Sequence, residues 1–234
     1  MVAADGANSR MRRLLGHDRN PARALAVAMR GYASVGGPVD QRIMLDDAHW
    51  PAYGWSFAIG DGTANVGWGT TVAALRRLPA GGAVRRAFEQ RVAAVTTGPV
   101  RDLRAHHLPL STRRPPLLDR RVLLAGDAAS LINPLSGEGI FYALLSGALA
   151  GRVAVAAAAP GPTYARELRR RLGRHLRHTR VASAMLDLRV VRHAGVRAAA
   201  APRTFDDLTE LALGDGRITP ALAGVLAREI VRVR

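Results

Sequence analysis

One run of the chain concentrates residues able to do chemistry: Val122-Leu123-Leu124-Ala125-Gly126-Asp127, followed shortly by Asn133-Pro134-Leu135-Ser136-Gly137-Glu138-Gly139-Ile140. The apolar stretch reads as a buried strand, and Gly126 at its end leaves backbone open to a ligand because it carries no side chain. Asp127 then stands at the carboxyl end of a strand, where α/β sheets hold their ligands, and its carboxylate can accept hydrogen bonds from sugar-like hydroxyls. Gly137 and Gly139 precede an apolar helix. Uncovered N–H groups and the helix dipole at such a start favour negative charge. The same pattern also describes an ordinary strand–loop–helix connection whose glycines serve only tight turns. Glu138 and Tyr142 read as capping or packing residues, so no proton donor is assigned.

The elements that must position this loop follow from patterning. Val2–Ala4 reads as the end of a buried strand, and Asp5-Gly6-Ala7-Asn8-Ser9 as a turn whose Asn8 or Ser9 caps a short basic helix, Arg10–Leu15, ended by Gly16. A chain seldom begins inside a strand–turn–helix unit, so further sequence, or a partner chain, is expected in front. Ala24–Val35, Gln41–Leu45, Tyr53–Ile59 and Thr63–Gly69 read as short strands of an antiparallel sheet, with Asp61-Gly62 as a hairpin turn. A helix is expected from Gly81 to Ala94 with Val84, Phe88, Val92 and Val95 near one face. Arg101–Leu110 reads as extended, with Pro109, Pro115 and Pro116 punctuating the approach to the strand at Arg121–Ala125. A long helix is expected from Leu135 to Ala159, and helices to the end of the chain, broken near Pro202, Gly214 and Pro220.

Bulk composition narrows the classes. Hydrophobic residues make up 48% of 234, a globular composition. There is no cysteine, which removes disulfides and thiolate chemistry and makes a reducing cytoplasm the default. The formal charge of +16 comes with 34 arginines and no lysine, alongside abundant alanine, which is the bias of GC-rich coding and not a nucleic-acid signature. No recognised nucleic-acid motif accompanies the charge. Met1–Asp5 lacks the basic and apolar parts of a signal peptide. The apolar run Ile140–Ala159 contains Arg152, which suits a core helix better than a bilayer span. His106-His107 has no partner spacing for a metal, and His175 and His178 read as surface residues among arginines. The Arg166–Arg180 helix carries Leu168, Leu172 and Leu176 on one face, with arginines that read as a solvated face or as a contact for an anionic membrane or a prenyl diphosphate.

Two motifs together carry a resemblance. The Leu124–Ile140 run resembles the second FAD motif of para-hydroxybenzoate hydroxylase-like flavoproteins, and Ala4–Ser9 with Arg12-Arg13 resembles their DG motif, which lies earlier in those chains. Within that superfamily, Tyr53-Gly54-Trp55-Ser56-Phe57 through Asn65-Val66-Gly67-Trp68-Gly69 is similar to the sheet motif of geranylgeranyl reductases, except that Ala58 stands where the family pattern has proline. The resemblance spans roughly Val2 to Ala159. It lacks the family's Gly-x-Gly-x-x-Gly loop for the ADP half of FAD.

The resemblance implies an α+β / α/β architecture: the C-terminal part of a Rossmann-like FAD domain (1–20 and 100–160), an inserted antiparallel β-sheet substrate domain (21–99) and a helical C-terminus (161–234). It implies FAD held by Asp5, Gly6, Gly126, Asp127, Pro134, Gly137, Glu138 and Gly139. An external donor such as NAD(P)H would supply electrons, and Tyr53, Trp55, Phe57 and Gly67 would line the cavity for a prenyl lipid. The implied reaction is reduction of isolated double bonds of a polyprenyl lipid by hydride transfer from reduced flavin, in a cytoplasmic or peripherally membrane-bound protein. Two alternatives stay open: an aromatic hydroxylase or halogenase of the same superfamily, and a truncated, non-catalytic fragment that binds lipid or a partner.

Overall fold

The computed structural model describes all residues except 38, 79–82, 113–115, 120, 158 and 234. The elements run β1 (Val2–Ala3), α1 (Arg10–Leu14), β2 (Leu25–Ser34), β3 (Gln41–Leu45), β4 (Tyr53–Ala58), β5 (Thr63–Thr71), α2 (Val72–Leu75), α3 (Ala83–Ala93), β6 (Arg101–Pro109), β7 (Leu118–Asp119), β8 (Val122–Leu124), α4 (Ile140–Ala156), α5 (Pro160–Met185), α6 (Arg189–Ala198), α7 (Pro202–Leu213) and α8 (Pro220–Val233). The chain divides into two compact units, one made of residues 1–20 and 109–234 and the other of 21–108. This is a mixed α/β fold with an antiparallel sheet and a helical C-terminus.

In the first unit, β1 and β8 pair in parallel, with Val2 opposite Leu123 and Ala3 opposite Leu124, and β7 flanks β8 on the other side. Ser9 caps α1 by accepting a hydrogen bond from the Arg12 amide. α4 and α5 close a core in which Leu123, Leu124, Leu131, Tyr142, Tyr164, Leu168 and Leu172 lie together. The Tyr164 hydroxyl, buried in that core, donates to the Leu124 carbonyl at 2.8 Å, satisfying its polar tip as a buried phenol requires. Leu168, Leu172 and Leu176 are buried at four-residue spacing on α5, as the apolar stripe anticipates. The helical run is broken additionally at residues 186–188, where the guanidinium of buried Arg192 donates to the carbonyls of Leu186 and Asp187.

The second unit is a five-stranded sheet in the order β3-β4-β5-β2-β6. The β3–β4, β4–β5 and β5–β2 pairs are antiparallel. α3 covers one face, burying Phe88 and Val92 against Ala64, Val66 and Trp68. Val95 packs beside them; residues 81 and 82 and the side chain of Val84 lie outside the described set, as does Pro115. In the 59–63 turn, Asp61 accepts hydrogen bonds from the Thr63 amide and hydroxyl, and Gly60 and Gly62 take positive φ of 99° and 82°. Asp46, with 1% of its side chain exposed, takes a two-pronged hydrogen bond from Arg91 of α3 and accepts from the His49 amide, tying the β3–β4 connection to the covering helix.

One element boundary changes. The helix expected from Leu135 begins only at Ile140, because Asn133 Oδ1 accepts from the Leu135 amide, the Gly137 amide returns to the Asn133 carbonyl, and Gly137 sits at φ 75°. Among the described residues, no helix is long and apolar enough to cross a membrane. Phe88 is completely buried between α3 and the sheet. Phe88→Ala is therefore expected to cost about 3–5 kcal/mol, read as a lowered urea midpoint.

Candidate active site

The parallel pairing of β1 and β8 brings the two sequence motifs to one edge. The Ala125 amide donates to the Ala3 carbonyl at 3.0 Å, so the Asp5-Gly6 turn and the Gly126-Asp127 turn leave the carboxyl ends of adjacent strands. Gly6 takes φ 77° and its carbonyl accepts from the Ser9 amide. The Asp5 carboxylate accepts from the Ser9 hydroxyl at 2.6 Å and the Met11 amide at 3.1 Å. Partial burial would raise its pKa, but these hydrogen bonds outweigh that and hold it below the usual carboxylate range. Asp5 thus organises the turn and the start of α1.

A second latch was not visible in the sequence. The Arg12 guanidinium donates to Ser130 Oγ and to Asn20 Oδ1, and the Ser130 hydroxyl donates to Asn20 Oδ1 at 2.8 Å. Asn20 Nδ2 reaches the Leu110 carbonyl at 2.7 Å. Ser130 is fully buried and holds a left-handed φ of 53°. Arg12 belongs to the motif run, but nothing in spacing pairs it with a serine 118 positions away.

Gly126 has a different local cause from the one its sequence suggests. A Cβ on it would come within 3.1 Å of the Ala143 side chain, and its amide donates to Ser146 Oγ at 2.9 Å. Its missing side chain admits α4. Asp127 follows, half-buried, and neither hydrogen bond nor ion pair joins its carboxylate to another described residue. Burial, with the charge of Glu138 adding, raises its pKa. Gly139 lies beside it: a Cβ there would stand 3.3 Å from Asp127 Oδ1 and 3.2 Å from Ile132 Cγ1. The start of α4 is partly closed, because Glu138 Oε1 accepts from the Ile140 and Phe141 amides. Glu138 is a cap, as its position before the helix suggests, and it occupies two of the N–H groups that the glycine pattern left open to an anion. Pro134 and Gly137 are half-buried in the turn that carries it.

The turn is anchored from the far side by the C-terminal helices. Fully buried Asn133 donates through Nδ2 to the Tyr142 hydroxyl at 2.9 Å and to the Leu211 and Ala212 carbonyls at 3.0 Å each, and the Ser136 hydroxyl donates to the Ala212 carbonyl. The Tyr142 hydroxyl lies 2.7 Å from His175 Nε2 and 2.9 Å from the Gly214 carbonyl. His175 Nδ1 is 2.6 Å from the Gly216 carbonyl, so Nδ1 carries the proton there. His175 is fully buried, which corrects its reading as a surface residue: it falls on the leucine side of α5, not on the arginine side. Burial drives its pKa below the usual imidazole value, against the hydrogen bond to Gly216 and the charge of Asp215. Tyr142 is held as a neutral phenol, its pKa pushed up first by burial.

The sheet unit displays the other predicted set. Tyr53, Trp55 and Phe57 alternate onto one face of β4, with ring centroids 6.0 and 6.4 Å apart in sequence. Gly67 sits directly across from Trp55, and a Cβ on it would fall 2.0 Å from the indole ring. Trp55 therefore lies flat over Gly67, with its Nε1–H on Asn65 Oδ1 at 2.8 Å. The row is half-exposed, while the opposite face of the sheet is the buried core under α3. The FAD-motif residues fall in one compact unit and the aromatic row in the other.

No protein-family profile matches the chain. Its sequence is similar to the menaquinone reductase of Mycobacterium tuberculosis, 33% identical over 165 residues that cover 65% of this chain and 40% of that protein. It is also similar to digeranylgeranylglycerophospholipid reductase 2 of Methanopyrus kandleri, 31% identical over 180 residues that cover 73% and 45%. The chain is thus similar, over 65% and 73% of its own length, to reductases of prenyl lipids. It spans less than half the length of these curated relatives. Its fold is that of a geranylgeranyl bacteriochlorophyll reductase-like protein of Thermoplasma acidophilum, with a TM-score of 0.73, 22% identity, and coverage of 99% of this chain and 59% of that one.

Two outcomes are expected from the site's buried groups. Asn133→Ala strands the carbonyls of α7 and is expected to cost about 1–3 kcal/mol in denaturant unfolding. His175 binds protons more readily unfolded than folded, so its share of stability is present above its ordinary value of 6.5 and is lost as pH falls below it. His175→Gln is expected to unfold more easily at neutral pH but to lose less stability on acidification, read by urea midpoints across that range; His178, lowered in the same direction, keeps some of the slope.

Proposed function

We propose that this chain carries the isoalloxazine-proximal part of a flavin site and a prenyl-lipid wall, in an FAD-dependent reductase acting on isolated double bonds of a polyprenyl lipid. The observation that carries the reading is the Asp127 carboxylate: half-buried, without a partner among the described residues, at the carboxyl end of a parallel strand and against a glycine that leaves it uncovered. An unpaired, partly buried carboxylate costs stability, and such groups are retained where a ligand supplies the missing donors. The hydroxyls of a ribityl chain are donors of the right kind.

The residues fit one half of FAD. Asp127 would accept from the ribityl chain. The Gly139 amide, with the positive end of α4 behind it, would face an anionic part of the cofactor. Asp5, Gly6 and Gly126 hold the two turns at adjacent strand ends, and Pro134, Gly137 and Glu138 shape the entry to α4. When bound and reduced, FAD supplies hydride to an alkene, with an external donor such as NAD(P)H as electron source. Tyr53, Trp55 and Phe57, with Gly67 making room for the indole, offer a flat apolar strip suited to an isoprenoid chain. The printed names of the relatives, a menaquinone reductase and a digeranylgeranylglycerophospholipid reductase, support a polyprenyl substrate class.

Visible absorption during titration with FAD tests the cofactor half. The expected result is a perturbed flavin spectrum that weakens at least tenfold in affinity with Asp127→Ala, the usual scale for a lost hydrogen bond to a charged group. Free flavin spectra at every concentration would remove the proposal for this chain. Asp127→Asn is expected to raise the thermal midpoint of the cofactor-free protein while weakening FAD, since the native carboxylate has a raised pKa and is destabilising at neutral pH. Product analysis with dithionite-reduced protein separates the chemistries: a saturated prenyl bond supports the reductase, whereas hydroxylation or halogenation of an aromatic substrate supports the superfamily alternative.

A further inference from the structure

The face of the sheet that carries Tyr53, Trp55 and Phe57 also carries one charge. Strand register puts Arg30 of β2 and Trp55 of β4 on either side of Gly67, and Tyr32 and Phe57 on either side of Asn65. Directly paired residues of an antiparallel sheet share a face, so Arg30 and Tyr32 lie on the aromatic side, two strand spacings or about 10 Å from β4. From β2 to β5, Arg30 is the only charged residue on that face. The other arginine of these strands, Arg42, stands opposite Ser56 on the reverse face and pairs with Asp40 at 2.7 Å.

Arg30 is half-buried, and its guanidinium lies over the Tyr32 ring, 5.3 Å from the centroid. Its Nη1 stands 3.5 Å from the Asp102 carbonyl, the outer limit of a hydrogen bond, and no carboxylate among the described residues pairs with it. Asn65 gives its Oδ1 to the Trp55 indole N–H at 2.8 Å, which leaves Nδ2 as a donor with no acceptor among the described residues. The Tyr32 hydroxyl is unclaimed in the same sense. A prenyl chain lying on the aromatic strip would displace water from this face. A guanidinium that loses water without gaining a counter-charge is costly, and a ligand that brings its own anion removes that cost.

We propose that Arg30, Tyr32 and Asn65 form a head-group subsite beside the prenyl wall, where Arg30 selects prenyl chains ending in a phosphate oxyanion over chains with an uncharged head. The planar edge of a guanidinium can meet two phosphate oxygens at once, which an ammonium cannot do. Phosphomonoester and diphosphate heads share this chemistry. The subsite rests on the reading of the aromatic row as a prenyl wall and not on flavin binding.

Quenching of tryptophan fluorescence in the 234-residue protein tests it, since Trp55 lies on the ligand face. Geranylgeraniol, its monophosphate and its diphosphate are titrated below their micelle concentrations. Both phosphates are expected to bind at least tenfold more tightly than the alcohol, the scale of a hydrogen bond to a charged group. Arg30→Met is expected to abolish that difference while the alcohol binds as before, and Arg30→Lys to restore part of it. Arg42→Met, the same charge change on the reverse face, is expected to leave the difference intact. Circular dichroism checks that each variant keeps its fold. Equal affinities for alcohol and phosphates overturn the subsite and leave the wall standing. A phosphate preference that survives Arg30→Met, or that Arg42→Met removes equally, does the same. Parallel loss of alcohol and phosphate binding in Arg30→Met marks a purely structural arginine and also overturns it. Failure of all three compounds to bind removes wall and subsite together.

Discussion

The arrangement of the first unit depends on the buried side-chain amide of Asn133. Its oxygen shapes the turn at Leu135, and its nitrogen reaches the Tyr142 hydroxyl and the final carbonyls of α7. Carbonyls at a helix end have no intrahelical partner and must find one. Here the loop that precedes α4 supplies it. The geometry of Pro134–Gly139 is thereby set by contacts nearly 80 positions away in sequence as well as by its own turn chemistry. Tyr142 and His175 extend the same network to Gly214 and Gly216, so α4, α5 and the loop after α7 share one set of hydrogen bonds. Removing any member leaves others buried and unpaired, which is why such networks are all-or-nothing.

Around that anchor, the candidate cofactor residues divide by what they do. Gly126, Glu138 and Asp5 already have structural work: helix approach, helix capping and turn closure. Asp127 alone among the carboxylates there carries no partner among the described residues, and burial raises its pKa. The contrast between Asp5, held low by the bonds it accepts, and Asp127, raised by burial, arises within two turns that leave neighbouring strands. Opposed environments for like groups are what give carboxylates different tasks on one scaffold.

Much of this was legible in the sequence where the signal is local. β3 falls at Gln41–Leu45 as alternation and turn residues indicate, and the starts of β4 and β5 at Tyr53 and Thr63 are where the hairpin chemistry of Asp61-Gly62 puts them. The cap of α1, Ser9, is one of the two residues the turn offers, and the leucine stripe of α5 follows from spacing. What was not legible came from distant partners. The start of α4 moves from Leu135 to Ile140 because Asn133 and Gly137 build a turn that an apolar count does not see. His175, surrounded by arginines in sequence, is buried because the helix turns it toward Tyr142. That Gly126 also makes room for Ala143 of α4 is a contact no spacing announces.

The pairing of β1 with β8 has a consequence for how the protein is made. Val2 stands opposite Leu123, and residues 21–108 form a compact unit of their own in between. On the ribosome, the sheet unit can emerge and fold while β1 and α1 still wait for β8, α4 and Ser130 to be synthesised. Closing so long a loop is entropically slow, and an unpaired strand edge exposed meanwhile invites wrong partners. The hydrogen bond of Arg12 to Ser130 can form only once translation has passed the second motif, so the Asp5 turn meets the Asp127 turn after the sheet unit has been made.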